Sequence, residues 1–181
     1  MLVKEYKMKE GKSSFDLSAL QVGYVGNKRY NSARNTLVRT CIDVFLRVKS
    51  SEKEDGILLV ERLVEPAKGI LWSIGGGVRR GLPFYESLKY LVKRESGLEI
   101  KKGSIERIDD GRFFFKKNPI GMKGGVDDFT LAFYAVSKGK IKLDELHTNP
   151  LIVSKKNLGK FKKRLHPFIK DNLEKIFEEH W

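Results

Sequence analysis

The stretch WSIGGGVRRGLPFYESLKYLVKRESGLE, from Trp72 to Glu99, constrains the fold more than any other part of the chain. A short apolar run over 70–74 enters three consecutive glycines, and an amphipathic segment follows them. Pro83 suits the first turn of a helix, where its missing N–H is not needed, and Gly97 suits a helix end. The stretch therefore predicts a strand, a glycine turn and a helix over about 83–96, a layout that often binds phosphate.

Apolar runs on both sides of this stretch predict a β-sheet. The segment TCIDVFLRV (40–48) alternates with strand periodicity, and the charged segment 49–56 after it ends in Asp-Gly, a hairpin signal. GILLVERL (56–63) is continuously apolar at its start, which indicates a central strand buried on both faces. Two further runs, 112–117 and 128–137, predict two more strands.

The two ends of the chain lie outside this pattern. We interpret 1–35 as an N-terminal extension in which GNKRYNSARN (26–35) is a polar loop, and we interpret 141–153 as irregular. A basic helix is expected from about 155, followed after Pro167 by a second helix with an apolar stripe. The expected fold class is α+β, with a mixed sheet between helices, a domain over 36–154, and a helical C-terminal extension over 155–181 packed on it.

The charge balance favours anionic partners. The 181 residues include 36 Lys and Arg against 23 Asp and Glu, a formal net charge of +13. Nucleotides, sugar nucleotides, nucleic acid and acidic membrane surfaces all fit this charge, and so does a simple role in solubility. Nucleic acid is possible but not favoured, because the basic segment KKNLGKFKKRL lacks interleaved aromatic residues.

Other chemistries are excluded by the residue counts. A single cysteine, Cys41, allows no intrachain disulfide and no thiolate zinc cluster, and its place in an alternating strand favours a buried structural thiol. No apolar run approaches the roughly 18 residues that a membrane helix needs. We therefore expect no membrane partner and a cytoplasmic protein.

Residues 36–150 resemble the Nudix superfamily, whose box reads GX5EX7REUXEEXGU, with U an apolar residue. With Gly76 as the first glycine, Gly97 and Leu98 fall on the closing GU pair, and Glu95 falls on the second glutamate of the EE pair. The resemblance implies the Nudix fold and hydrolysis of a nucleoside-diphosphate-linked substrate with a divalent metal, Mg²⁺ or Mn²⁺. The box is degenerate, because one of its four carboxylates is present.

The other box positions depart from the pattern. Leu82 stands at the first glutamate, Tyr90 and Leu91 replace the Arg-Glu pair, and Arg94 replaces the first glutamate of the EE pair. Within the superfamily the region is most similar to the GDP-mannose mannosyl hydrolases. The features that match, in order, are Asp43, Arg62, the segment Pro66-Ala67-Lys68-Gly69 and Trp72.

This likeness implies a site. Glu95 and a backbone carbonyl of Gly75 or Gly76 would hold the metal, and Arg62 would contact the diphosphate. Arg79 and Arg80 could flank a phosphate beside Gly76 and Gly77, although the family arginine after the glycine pair is missing. For Glu95 the alternative is a salt bridge to a nearby Lys or Arg, since helical spacing places this carboxylate on or beside the apolar face.

The general base is the gap in the site. The family histidine on the strand over 128–137 is absent, and Ala132 stands in its place. Asp127 and Asp128 are therefore the nearest candidates for a general base or an extra metal ligand. The alternative for both acids is that they cap a loop. His147 follows that strand and has a structural alternative as well. The expected function is hydrolysis of a nucleotide sugar or similar diphosphate, with a possible homodimer, and the alternative is an inactive Nudix-like domain that binds a nucleotide or nucleic acid.

Overall fold

The computed structural model describes residues 3–6, 20, 26–49, 55–117 and 124–181. The strands are β1 (Arg39–Val48), β2 (Gly56–Arg62), β3 (Leu71–Trp72), β4 (Ile74–Gly77), β5 (Glu99–Ile100), β6 (Glu106–Phe115), β7 (Val126–Lys138) and β8 (His147–Val153). The helices are α1 (Asn27–Thr36), α2 (Phe84–Ser96), α3 (Leu158–Phe161) and α4 (Pro167–Glu179), with a 3₁₀ turn at Lys162–Arg164.

The strands form one mixed sheet centred on β1 and β2. Strand β1 pairs in parallel with β7 and antiparallel with β2 and β4. Strand β2 also pairs with β3 and β8, and β7 also pairs with β5 and β6, all antiparallel. The glycine strand β4 therefore lies directly beside β1, with Cys41 opposite Gly77 and Asp43 opposite Gly75.

The two faces of the sheet carry separate apolar clusters because successive side chains of a strand point to opposite faces. On one face Ile42, Val44 and Leu46 of β1 pack with Leu88 and Leu91 of α2. On the other face Phe45 packs with side chains of α4, among them Ile169, Leu173, Ile176 and Phe177. The expected α+β architecture, a mixed sheet between helices with extra C-terminal helices, is confirmed.

The central elements follow their sequence patterns. Strands β1 and β2 match the predictions, and Ile57 to Val60 are fully buried as expected for a central strand. Helix α2 begins at Phe84, directly after Pro83, and ends at Ser96. Gly97 follows as its C-cap, with a φ of 70°, the left-handed conformation that glycine adopts without strain. The hairpin segment predicted over 49–56 falls partly at 50–54, outside the described residues.

Three predictions for irregular or helical segments were wrong. The predicted polar loop at 26–35 is helix α1, whose polar composition hides two buried side chains, Asn31 and Arg34. The segment predicted to be irregular contains β8, since its backbone pairs with β2. The long basic helix expected from about 155 is the short α3 and the 3₁₀ turn. Among the described helices, none combines the length and apolarity needed to cross a membrane.

Candidate functional site

Strand β4 can lie against β1 because it consists largely of glycine. A Cβ at Gly75 would collide with the carbonyl oxygen of Ile42 and would come within 2.7 Å of Asp43 Oδ1. A Cβ at Gly77 would lie 3.4 Å from Cδ of Arg39. The glycines therefore allow two polar side chains of β1 to approach the backbone of β4.

Glu95 lies on the opposite side of this glycine strand, in the last turn of α2 and on the buried face of that helix. The prediction that this residue falls on the apolar face of the helix is confirmed, because it is 2% exposed. Its Oε2 accepts a hydrogen bond from the Gly75 N–H at 3.1 Å, and its Oε1 accepts one from Nη2 of Arg94. Burial raises the pKa of the Glu95 carboxyl, and the Arg94 guanidinium acts in the opposite direction.

A histidine and a second acid stand behind this carboxylate. His147 Nε2 is 4.0 Å from Glu95 Oε2, and its Nδ1 is 2.7 Å from Asp144 Oδ1. His147 is buried, and the backbone N–H of Asp144 donates to the Glu95 carbonyl oxygen at 3.3 Å. The three glycines form strand β4 rather than the predicted turn. The structure places Glu95 beside this strand and joins it to His147 in one buried polar cluster.

The residues around Glu95 do not fit a divalent cation in this conformation. Both carboxylate oxygens already accept hydrogen bonds, and Arg94 brings a positive charge to the position where the family motif has an acid. A cation such as Mg²⁺ needs several oxygen ligands. In the described ranges the one group of three potential ligand side chains close enough for a metal is Glu106, Glu179 and His180, which lies elsewhere.

A narrow cleft opens on the other side of β4. Its cavity volume is about 50 Å³, little more than the share of one or two water molecules. Glu95 and Arg94 are not among the residues that line it. The lining combines two arginines, two acids and several aromatic rings: Arg39, Arg62, Asp43, Asp128, Trp72, Phe113 and Phe115, together with Cys41, Pro66, Ala67, Gly75, Gly76 and Thr130.

Arg39 and Asp128 form a paired wall of this cleft. Arg39 donates from Nε to Oδ1 of Asp128 at 3.0 Å and from Nη2 to Oδ2 at 2.7 Å. Such a two-pronged contact is the strong geometry for a guanidinium and a carboxylate. Asp127 and Asp128 both lie within β7 rather than capping a loop. Asp127 forms the same kind of two-pronged contact with Arg112.

Asp43 is the second acid of the cleft and is 6% exposed. Its Oδ1 accepts hydrogen bonds from Trp72 Nε1 at 2.9 Å and from Ser73 Oγ at 3.2 Å. Burial nevertheless raises the pKa of Asp43 to about 6. Burial also raises the pKa of the neighbouring Cys41 thiol to about 12, the direction for an unreactive structural cysteine.

The three predicted substrate arginines have different positions. Arg62 lines the cleft, where its Nε donates to the Pro66 carbonyl oxygen at 2.9 Å. Arg79 and Arg80 are exposed and do not line the cleft, and the Arg79 guanidinium lies 4.3 Å from the centre of the Tyr90 ring. The structure therefore brings Arg62, Gly75 and Gly76 together at the cleft and leaves the arginines after the glycines outside it.

Sequence reasoning missed Arg39 and Arg34. Arg39 alternates with Cys41 and Asp43 along β1, so the strand pattern could have placed it on the cleft face. Its side chain lies over Gly77. Arg34 carried no signal, because its helix was interpreted as a loop.

No family model and no curated protein matches this chain. Solved structures do match. The NUDIX domain of NrtR from Shewanella oneidensis, crystallised with ADP ribose, has a TM-score of 0.56 at 12% identity and covers 85% of this chain and 96% of its own. The MutT protein from Methanosarcina mazei Go1 has a TM-score of 0.55 at 20% identity, with 78% of this chain and 96% of its own covered.

A third match is longer than this chain. The bifunctional NMN adenylyltransferase/ADP ribose pyrophosphatase from Francisella tularensis has a TM-score of 0.59 at 14% identity over 84% of this chain. This chain spans 44% of that enzyme, and 48% of a MutT/nudix family protein from Enterococcus faecalis.

The matches share one architecture with this chain, an α+β fold with a mixed sheet between helices. The chain has the Nudix fold.

Proposed function

We propose that this chain is a Nudix-fold module that binds a nucleoside-diphosphate-linked compound, such as a nucleotide sugar, without the help of a divalent cation. The observation that carries this proposal is the state of Glu95, whose two oxygens accept from Arg94 and from the Gly75 N–H. A guanidinium thus supplies the positive charge that a metal ion would bring. Binding of this kind corresponds to the inactive Nudix-like alternative predicted from the degenerate box.

The cleft supports an anionic ligand. Arg39 and Arg62 both line it, and each brings a positive charge that attracts an anion. Because Arg39 lies over Gly77, we assign it the role of the family arginine that follows the glycine pair and is missing here. The formal charge of +13 favours the approach of such a ligand. The NrtR domain crystallised with ADP ribose suggests ADP ribose as the first ligand to test.

Metal-dependent hydrolysis of the same ligand is the second candidate. One observation favours it: Glu95 lies against the glycine strand as the motif requires, and Arg94 is 42% exposed, so its side chain could turn into solvent. Glu95 and the carbonyls of Gly75 and Gly76 would then be the ligands of Mg²⁺ or Mn²⁺. Asp128 as a base is disfavoured, because Arg39 holds both of its oxygens.

A ligand panel tests both candidates. ADP-ribose, GDP-mannose and other nucleotide sugars are titrated into the protein in EDTA and in Mg²⁺ or Mn²⁺, and products are followed by chromatography. Saturable binding in EDTA without product is expected. Metal-dependent product formation that is lost in Glu95→Gln would instead establish the hydrolase.

A matched pair of arginine variants tests the cleft itself. Arg62→Met is expected to weaken ligand binding about 10-fold, the loss of one charged contact. Arg107→Met removes an exposed arginine of β6 that pairs with Asp110 and is expected to bind the ligand as the wild type does. Equal affinity of both variants would remove the cleft from the proposal.

A further inference from the structure

A second cavity adjoins the cleft at the end of α1. Its volume is about 470 Å³, within the range of about 300–1,000 Å³ of small-molecule sites. The cavity is lined by Arg34 and the residues after it, by Phe114 and Phe115 of β6, and by the start of β7. Phe115 also lines the cleft, so the two spaces share a wall.

Arg34 is an unusual residue for the wall of a cavity. It is 7% exposed, and in the described part of the chain its Nε and Nη2 atoms have no hydrogen-bond partner. Asp128 is the acid nearest to it, at 3.7 Å from Nη2. Both oxygens of that carboxylate already bind Arg39 at shorter distances, so Arg34 receives a weak share of one negative charge.

The cluster of Arg34, Arg39 and Asp128 therefore carries two positive charges and one negative charge. The other acid on this wall, Asp127, is paired with Arg112. A guanidinium does not lose its proton in proteins, so it cannot relieve the cost of burial by becoming neutral. Burial lowers the pKa of Arg34, and the adjacent Arg39 lowers it further, which is the direction expected for an insufficiently compensated cation.

We propose that Arg34 forms a second oxyanion subsite, which takes a phosphate group of a nucleotide lying in the cavity beside the cleft. An oxyanion there would supply both the missing acceptors and the missing negative charge. Phe114 gives the reason to choose a nucleotide: its ring lines the cavity and is 72% exposed, so it offers a face on which a base can stack.

This subsite deepens the proposed function, on which its nucleotide assignment rests, because the cleft alone is too small for a nucleotide. The oxyanion site itself can be tested separately. Inorganic phosphate and 5′-AMP are therefore the probes, measured by thermal unfolding and by calorimetric titration of the full chain against sodium chloride of equal ionic strength.

The main variant is Arg34→Met, which keeps the length of the side chain and removes its charge. At about 100 times the Kd, phosphate is expected to raise the Tm of the wild type by about 5 °C. The Tm of Arg34→Met is expected to show no such rise. Arg107→Met, which removes an exposed arginine of β6 that pairs with Asp110 and does not line the cavity, is the control and is expected to respond as the wild type does.

Two results would overturn the subsite. One is a wild-type Tm that rises no more in phosphate than in chloride, a test that needs no variant. The other is a response of Arg34→Met equal to that of the wild type. If that variant does not fold, Arg34→Lys replaces it and is expected to bind 5′-AMP about 10-fold more weakly, because a lysine lacks the planar fork; unchanged affinity would contradict the subsite.

The source of the phosphate is tested with Phe114→Ala. This variant is expected to weaken 5′-AMP binding about 5-fold or more, the loss of one stacking contact, and to bind inorganic phosphate normally. Equal loss for both probes, or for neither, would overturn the nucleotide assignment. Arg62→Met separates the two proposals: if it binds ADP-ribose normally while Arg34→Met loses phosphate, the cleft assignment fails and the subsite stands.

Discussion

Two buried charge clusters flank the glycine strand, and they are balanced differently. In the first, which we call the Glu95 cluster, Glu95 accepts from Arg94 and Gly75 and has His147 behind it. In the second, the Arg34 cluster, Arg34 and Arg39 share the single carboxylate of Asp128. The first is complete without a ligand, whereas the second has a surplus of positive charge.

The two clusters therefore differ in whether their own side chains balance their charges. In the Glu95 cluster, Arg94 donates to Glu95 and compensates its negative charge. In the Arg34 cluster, in contrast, a guanidinium without its own counter-charge lowers the stability of the ligand-free protein. An anion that binds to this guanidinium raises the stability again. The comparison therefore predicts that the Glu95 cluster contributes to the fold and that the Arg34 cluster contributes to binding.

Strand β4, which lies between the clusters, should be the part of the chain where a substitution lowers the free energy of unfolding most. Gly75→Ala places a Cβ against the Ile42 carbonyl and Asp43 Oδ1, where the backbone of β1 cannot move freely. We expect a loss of about 3 kcal/mol in the free energy of unfolding, measured with urea. Gly159→Ala, which meets no atom within 4 Å, is the control and should change it by less than about 0.5 kcal/mol. A similar urea midpoint for both variants would show that β4 does not separate the clusters as described.

Asp43, on the cleft side of β4, should make stability depend on pH. Its pKa rises from 3.8 to about 6 on folding, so its contribution is fully present below pH 3.8 and is lost as the pH rises through about 6. A difference of about two pKa units corresponds to about 3 kcal/mol. Urea unfolding from pH 4 to 7 should show a larger fall in the wild type and in the exposed control Asp110→Asn than in Asp43→Asn, where the raised pKa of Glu95 still acts. Parallel curves for all three proteins would contradict the assignment.

Introducing an acid at position 94, as in the motif, should convert the Glu95 cluster into a metal site. Arg94→Glu places two carboxylates together, and we expect it to cost about 2 kcal/mol without metal, because Glu95 is then buried beside a like charge. Mn²⁺ should raise the Tm of this variant by several degrees and leave the wild-type Tm unchanged. Arg94→Gln is the control, with a loss of about 1 kcal/mol and no response to Mn²⁺. An equal Mn²⁺ response in the wild type would mean that Arg94 does not occupy the place of a cation.

The smallest expected effect is at Gly77. A Cβ there meets the flexible Arg39 side chain at 3.4 Å, so Gly77→Ala should change the free energy of unfolding by less than about 0.5 kcal/mol. Ligand affinity should nevertheless fall about 3-fold, because the added methyl group contacts Arg39 and restricts its side chain in the cleft. Calorimetric titration with ADP-ribose measures this, and an unchanged Kd would remove Arg39 from the contact with the ligand.

The parts of the fold with strong periodicity were predictable from the sequence. Strands β1 and β2 and helix α2 follow their apolar patterns, and the position of Glu95 on the buried face follows from its spacing to Leu88 and Leu91. Helix α1 was not predictable, because its one-sided burial involves Asn31 and Arg34 rather than apolar residues. Strand β8 was missed because its stability comes from pairing with β2.

The site was predictable only where one strand or one helix determines it. The approach of Glu95 to Gly75 follows from the motif spacing. The pairing of Arg39 with Asp128 joins residues 89 positions apart through the parallel contact of β1 and β7, and no local pattern reveals such a contact. The contact of Arg94 with Glu95 was one of two alternatives, a salt bridge or a metal ligand. The sequence could not decide between them, because it does not show which way a side chain turns.

The affinity for ADP-ribose with and without metal tests the central claim most directly. If Arg94 takes the place of the cation at Glu95, calorimetric titration should give the same Kd, within about twofold, in EDTA and in Mg²⁺, with the ligand recovered intact. A Kd at least ten times lower in Mg²⁺, accompanied by cleavage of the ligand, would contradict the account.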